Sequence, residues 1–282
     1  MTHLKSSSLG KRVVTGAILL VLLAATLVLG GWYFAAVAFI ATAIAIHEEL
    51  NALKAGGHAP VRWAAFAALV LALPCVKLFS SSLVIMPILT VLAFCVSLQV
   101  MRRESPLLED IMFSLLPMLT LVLPCMCLIG ISLSDDMPHL SKMLLVLVFA
   151  IAVGGDTFAY FVGSALRGPK LCPNISPNKT ISGAIGGLVG SLVASLLVGL
   201  IAYWLAVASR AVLPQWWHYV LLGLLGGVAG QLGDLFASLI KRHCGLKDFS
   251  NLFPGHGGML DRLDSVLFMA IIIFCYRMLT VL

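Results

Sequence analysis

The groups best suited to chemistry are concentrated between Ser238 and Ser265. This segment holds four cations (Lys241, Arg242, Lys247, Arg262), three carboxylates (Asp248, Asp261, Asp264) and a Pro254-Gly255-His256-Gly257-Gly258 turn. Asp261 and Asp264 stand three residues apart where an apolar helix begins, so both can point to one side of its first turn. Carboxylates facing phosphate-binding cations are what a hard divalent ion and a polyphosphate need together, because Mg²⁺ takes one or two carboxylates and completes its shell with water and phosphate oxygens. A basic loop lying against anionic lipid would account for the lysines and arginines. It would leave the carboxylates and the glycine turn unexplained.

A second segment, Arg167 to Thr180, runs directly into an apolar stretch. Its Ser176-Pro-Asn-Lys179-Thr180 end offers hydroxyls, an ammonium and free backbone N–H groups to an anion, the chemistry of a phosphate site at a helix N-terminus. Helix capping alone would also explain the Ser and Thr. Two further carboxylates, Asp156 and Asp234, lie inside otherwise uncharged stretches, where an ionised side chain costs about 2.5–3.5 kcal/mol at bilayer depth. On a helical repeat Asp156 shares a face with Tyr160, Gly163 and Arg167, and Asp234 shares one with Gly227, Gly230, Gln231, Ser238 and Lys241. A buried hydrogen-bonded pair that fixes helix packing is the structural alternative for both.

The elements that carry these groups follow from composition. The chain has 282 residues, 61% of them hydrophobic, and only 18 Lys+Arg and 12 Asp+Glu. A soluble domain of that length would carry roughly 70 charges. Soluble and disordered classes are both excluded, and an all-α polytopic integral membrane protein is expected. The uncharged stretches predict about nine transmembrane helices, near 13–30, 32–47, 61–79, 82–101, 110–133, 143–165, 181–206, 217–241 and 263–282. The run from Arg12 to Glu48 is too long for one crossing, and Gly30-Gly31 predicts a tight hairpin within it.

With the N-terminus in the cytoplasm, Lys5, Lys11, Arg12, Lys54, Arg62, Arg102, Arg103, Arg167, Lys170, Lys179, Lys241, Arg242, Lys247 and Arg262 all fall inside. Only Lys77, Lys142 and Arg210 fall outside, and Arg277 lies in the last span. That asymmetry supports both the orientation and the span count. The net charge of +6 is therefore a topology signal, and no nucleic-acid partner is expected. The N-terminal apolar run exceeds a signal-peptide core and reads as a first span. Seven cysteines without a Cys-x-x-Cys read as small apolar residues. Two parts are expected: spans one to five in residues 1–135, and a catalytic part in 136–282 with inner loops 166–180 and 241–262. Glu48-Glu49 and Glu104, Glu109 and Asp110 read as solvated loop charges. The rows Gly183, Gly186, Gly187, Gly190 and Gly223, Gly226, Gly227, Gly230 predict close helix packing in lipid.

From Ser238 to Asp264 the chain resembles the signature of the phosphatidate cytidylyltransferases (CDP-diacylglycerol synthases): Ser-x-x-Lys-Arg, four residues, Lys-Asp, a Pro-x-His-Gly-Gly turn and Asp-Arg-x-Asp, with every fixed position present. Gly155-Asp156-Thr157 through Tyr160, Ser176-Pro177 with Lys179-Thr180, and Gly233-Asp234 fit the family's other blocks. The resemblance covers roughly residues 140–282. Ser182 departs from it, standing where Glu or Gln is expected.

The resemblance implies transfer of CMP from CTP to phosphatidic acid, giving CDP-diacylglycerol and pyrophosphate. It implies Mg²⁺ as cofactor, with or without a second cation, bound by Asp234 and Asp261, with Asp264 and Asp248 as further ligands or orienting groups. Lys241, Arg242, Lys247 and Arg262 are assigned to phosphates, and Ser176, Lys179 and Thr180 to the nucleotide or lipid phosphate. Asp156, Tyr160 and Ser238 are assigned to the substrate site. His256 either touches a phosphate or holds its loop. Expected partners are CTP, phosphatidic acid and the bilayer, with a homodimer left open. The expected location is a bacterial inner membrane, with the site facing the cytoplasm. The rival readings are a CTP-dependent enzyme or kinase acting on another membrane lipid, and an ion-coupled transporter.

Overall fold

The computed structural model of the protein describes residues 3–78, 85–134, 138–209 and 213–281. Arg210, residues 82–84 of the fourth expected span, residue 282 and the side chains of Lys5, Lys11, Arg12 and Lys77 lie outside them. Each apolar stretch read from the sequence coincides with helix. Among the described residues six helices are long and apolar enough to cross a membrane: Gly31–Ala55, Leu108–Ser132, His139–Leu166, Ile181–Leu205, Trp216–His243 and Leu260–Thr280. Val14–Leu29, Arg62–Val76 and Ile85–Met101 are shorter apolar helices. The chain divides into two compact units, Met1–Leu133 with Ile240–Leu263, and Ser134–Leu239 with Asp264–Leu282.

The first unit contains α1 (His3–Leu29), α2 (Gly31–Ala55), α3 (Arg62–Leu78), α4 (Ile85–Met101), α5 (Leu108–Pro117) and α6 (Leu123–Ser132). Gly30 (φ 61°) and Gly31 (φ 50°) break the chain between α1 and α2 in the left-handed region, which a side chain would disfavour. A π-turn, Met118–Val122, joins α5 to α6. Pro117 and Pro124 flank it, and each lacks the N–H that a regular helix would donate, so the ladder widens there. The core is aliphatic, with Ile46, Leu50, Leu53, Leu69, Leu121 and Ile129 fully buried.

Three acids expected to be solvated are buried in this unit. Asp110 accepts the Ala59 N–H at 2.9 Å and pairs with Arg103 at 2.7 Å, tying together the ends of the loops that precede α3 and α5. Glu48 and Glu49, expected in a loop, lie inside α2 at 5% and 0% exposure, because α2 runs on for two further turns past the expected end of its span.

The second unit contains α7 (Pro138–Leu166), a short antiparallel hairpin of β1 (Lys170–Cys172) and β2 (Ser176–Thr180), α8 (Ile181–Ser209), most of α9 (Trp216–His243) and most of α10 (Leu260–Val281). The hairpin lies within the inner loop expected over 166–180: Lys170 pairs with Thr180 and Cys172 with Ser176. Thr180 then caps α8, its Oγ1 accepting the Gly183 N–H at 3.1 Å.

The glycine rows do the packing expected of them. A methyl group on Gly186 would lie 2.5 Å from Val162 Cβ, and one on Gly190 would lie 2.5 Å from the Gly154 carbonyl oxygen, so α8 rides directly on α7. Gly223 and Gly227 face Ser191 and Ser195 of α8, and Gly230 faces Met269 of α10. In lipid no hydrophobic force draws helices together, so bare backbone contact has to do it. Gly190→Ala is expected to destabilise the protein by about 1–3 kcal/mol, because its methyl meets a backbone oxygen that cannot swing aside. Thermal unfolding in detergent, compared with an Ala substitution at lipid-facing Val189, checks this.

Candidate active site

Close packing of α7 on α8 leaves a cavity of about 520 Å³ in the second unit, walled by α7, β2, α8, α9 and Met269. Small residues line it, among them Gly155, Gly163, Gly183, Gly227 and Gly230. Asp156, Tyr160, Lys179, Thr180 and Asp234 line it together. These come from three separate sequence stretches. Helical spacing puts Asp156 and Tyr160 on one face of α7, and β2 carries Lys179 over the α8 N-terminus.

Within the cavity Lys179 Nζ lies 2.5 Å from Asp234 Oδ2, with both side chains about 30% exposed (28% and 31%). The other Asp234 oxygen, Oδ1, has Ser238 Oγ at 3.5 Å. Gln231, one turn before Asp234, donates its Nε2 to the Ala184 carbonyl at 2.9 Å and links α9 to α8 across the cavity. Ser182 donates to the Arg167 carbonyl, holding the one non-glycine residue at positive φ (53°) among the described residues. Its hydroxyl thus does a local structural task where the family resemblance leads one to expect Glu or Gln.

The first unit holds the loop from Ile240 to Leu263. Asp261 is almost closed from solvent, with 5% side-chain exposure, and takes three donors: Lys241 Nζ at 2.6 Å, the Gly258 N–H at 2.9 Å and the Phe249 N–H at 3.1 Å. Lys241 is itself buried, its ammonium 5.3 Å from the Phe249 ring centroid. Gly257 (φ 79°) explains the turn. A side chain there would be strained, and its Cβ would lie 2.8 Å from Asp261 Oδ2. Arg242 donates to the Leu246 carbonyl at 2.8 Å and closes the turn after α9, while its side chain stays exposed. Lys247, Asp248 and Arg262 are exposed. His256 Nδ1 is buried with no hydrogen-bond partner among the described residues.

Five of the expected site residues therefore share one cavity, and Lys241 and Asp261 form a buried pair in the other unit. Ser176 begins β2 and does not line the cavity. Asp264 Oδ1 accepts its neighbour's Ser265 N–H at 2.7 Å at the start of α10. Glu48 was missed. Its carboxylate accepts Ser250 Oγ–H at 2.6 Å and the N–H groups of Met259 and Leu260 at 3.0 and 2.8 Å. The only sequence signal was a pair of adjacent acids in a chain poor in charge.

The donor chemistry fits Mg²⁺ of the kind that arrives with a polyphosphate. Asp234 and Asp261 each already hold an ammonium at 2.5–2.6 Å, so each accommodates a positive charge. Among the described residues no group of three or more His, Cys, Asp or Glu could form an all-protein cage. Mg²⁺ does not require one, since phosphate oxygens complete its shell.

The sequence model of the cytidylyltransferase family matches residues 10–280. A phosphatidate cytidylyltransferase of Brucella abortus is 35% identical over 132 residues, 47% of this chain and 46% of that protein. One of Bacillus subtilis is 46% identical over 114 residues, 40% of this chain and 39% of that protein. One of Synechocystis is 46% identical over 76 residues, 24% of this chain and 26% of that protein. The chain thus spans less than half the length of the curated relatives it matches.

Proposed function

The chain belongs to the cytidylyltransferase family, and from that membership we propose that it transfers CMP from CTP to phosphatidate, giving CDP-diacylglycerol and pyrophosphate. The observation that carries the reading is the cavity in which Lys179 and Asp234 meet Asp156, Tyr160 and Thr180. A phosphate oxygen of the lipid attacks the α-phosphorus of CTP. The bond from that phosphorus to the oxygen bridging the β-phosphorus breaks, and pyrophosphate leaves. The nucleophile is already anionic and needs no strong base, so positioning and charge neutralisation supply the catalysis.

In this reading Lys179 leaves Asp234 for a substrate phosphate and so neutralises charge as it forms. Lys241, Arg242, Lys247 and Arg262 face phosphates of CTP or lipid, and Ser238 and Asp156 orient groups at the cavity. Asp234 and Asp261, with Asp264 as a further candidate ligand, would hold Mg²⁺, which when bound would supply Lewis-acid polarisation of phosphoryl oxygens. The cationic asymmetry of the loops supports nine spans, a cytoplasmic N-terminus and a site facing the cytoplasm, and the bacterial relatives support an inner membrane as its place.

The test is incorporation of radiolabel from CTP into lipid by purified protein. Label is expected in a CDP-lipid only when phosphatidate and Mg²⁺ are both present. Label appearing with another lipid phosphate and not with phosphatidate would overturn the substrate assignment, and no transfer to any lipid would overturn the reaction.

A further inference from the structure

We infer that Glu48, contributed by α2, is the positioning residue that holds the Asp261 carboxylate in place; the catalytic part of this inference rests on the role proposed above for Asp261. Asp261 accepts from Phe249, in the first half of the loop, and Gly258, near its end, and Glu48 accepts from Ser250, Met259 and Leu260. Two carboxylates thus divide five donors of this segment between them, and Asp261 takes the Lys241 ammonium besides. Both N–H donors on Asp261 belong to the loop that leads into it, so its one tie from outside the loop among these three is the Lys241 ammonium at the end of α9. Glu48 stands on another helix, buried in the first unit, and supplies a tie that does not use the Asp261 carboxylate.

The chemistry suits a carboxylate at this place. Leu260 is the first residue of α10, so the Met259 and Leu260 N–H groups have no acceptor within the helix. They carry the positive end of the helix dipole, and a charged acceptor there is favoured. Glu48 is an N-cap supplied from another element. Gly258 lets it approach: a Cβ there would lie 2.6 Å from Glu48 Oε2, so any side chain would push the carboxylate off the helix end. That accounts for Gly258, as the left-handed backbone accounts for Gly257. Moving Glu48 shifts residues 258–260, and Asp261 is the next residue.

Glutamine at 48 keeps shape and one acceptor oxygen but turns an NH₂ toward N–H donors. Hydrogen–deuterium exchange of wild-type and Glu48→Gln protein in detergent reads the anchoring directly. Faster exchange is expected in peptides covering 249–261, with no change in peptides from α7 and α8. Turnover on CTP and phosphatidate is expected to fall about 10–100-fold, the range seen when a group that orients a ligand is lost, and Glu48→Asp, which keeps the charge one methylene short, is expected to recover part of it. Ser250→Ala, which removes one donor of the three, should give a smaller change of the same kind and carries the test where Glu48→Gln does not accumulate.

Unchanged exchange in 249–261 overturns the anchoring. So does faster exchange throughout the chain with activity lost only in proportion to the folded fraction, which is a general stability effect. A loosened loop with wild-type turnover overturns the catalytic part. Wild-type protein that transfers nothing overturns the proposed reaction instead and leaves the exchange comparison standing as the test of Glu48.

Discussion

Asp234→Asn is expected to reduce CTP-to-lipid transfer by more than about 100-fold, beyond the loss that follows when a group merely supporting a ligand is removed, while leaving expression and thermal stability near wild type. The two halves of this expectation have separate grounds. Asp234 faces a cavity and its side chain is 31% exposed, so an amide there can find water or Lys179 and leaves no buried donor stranded. What is lost is the charge that balances Lys179 and, in the proposed reaction, binds the metal. Transfer assays over a range of Mg²⁺, together with melting curves, check it. Activity near wild type would remove Asp234 from the metal site, and a large fall in stability would make it a packing residue.

Asp261→Asn is expected to abolish transfer as well, but with a fall in stability of about 1–3 kcal/mol, the cost of leaving buried donors badly paired. Both Asp261 oxygens are in use, Oδ1 by the Lys241 ammonium and Oδ2 by the Phe249 and Gly258 N–H groups. Asparagine must turn its NH₂ toward one of these sets, and neither can accept a hydrogen bond from it. The two aspartates, equivalent in the proposed chemistry, thus separate in unfolding experiments. Equal stability of the Asp261→Asn variant and the wild-type protein would mean that the loop is held without this carboxylate.

Much of this site is legible residue by residue. Asp156 and Asp234 stand out because a carboxylate deep in an apolar stretch is costly, and a helical period places Tyr160 beside the first and Gln231 beside the second. Lys179 and Thr180 are legible as groups ahead of a helix, yet the sequence leaves capping and anion binding equally open for Thr180, and the structure shows it capping α8. The β1–β2 hairpin is hidden because five residues of Ser, Pro, Asn, Lys and Thr carry no alternation of apolar and polar side chains. Glu48 and Asp110 are hidden for a different reason. An acid near a helix end looks solvated, and only the donors brought from distant positions 250, 259 and 260, or 59, reveal a buried acceptor.

By itself the sequence determined the class of the molecule, the approximate places of its apolar helices and the chemical types at its site. These depend on local quantities: apolar run length, charge scarcity, glycine spacing and the 238–264 signature. Tertiary structure decided which charges neutralise one another and which acids are buried. Ion pairing and desolvation act over a few ångströms in space, and residues 48 and 258, or 179 and 234, become neighbours only when backbone packing permitted by glycine brings their helices and loops together.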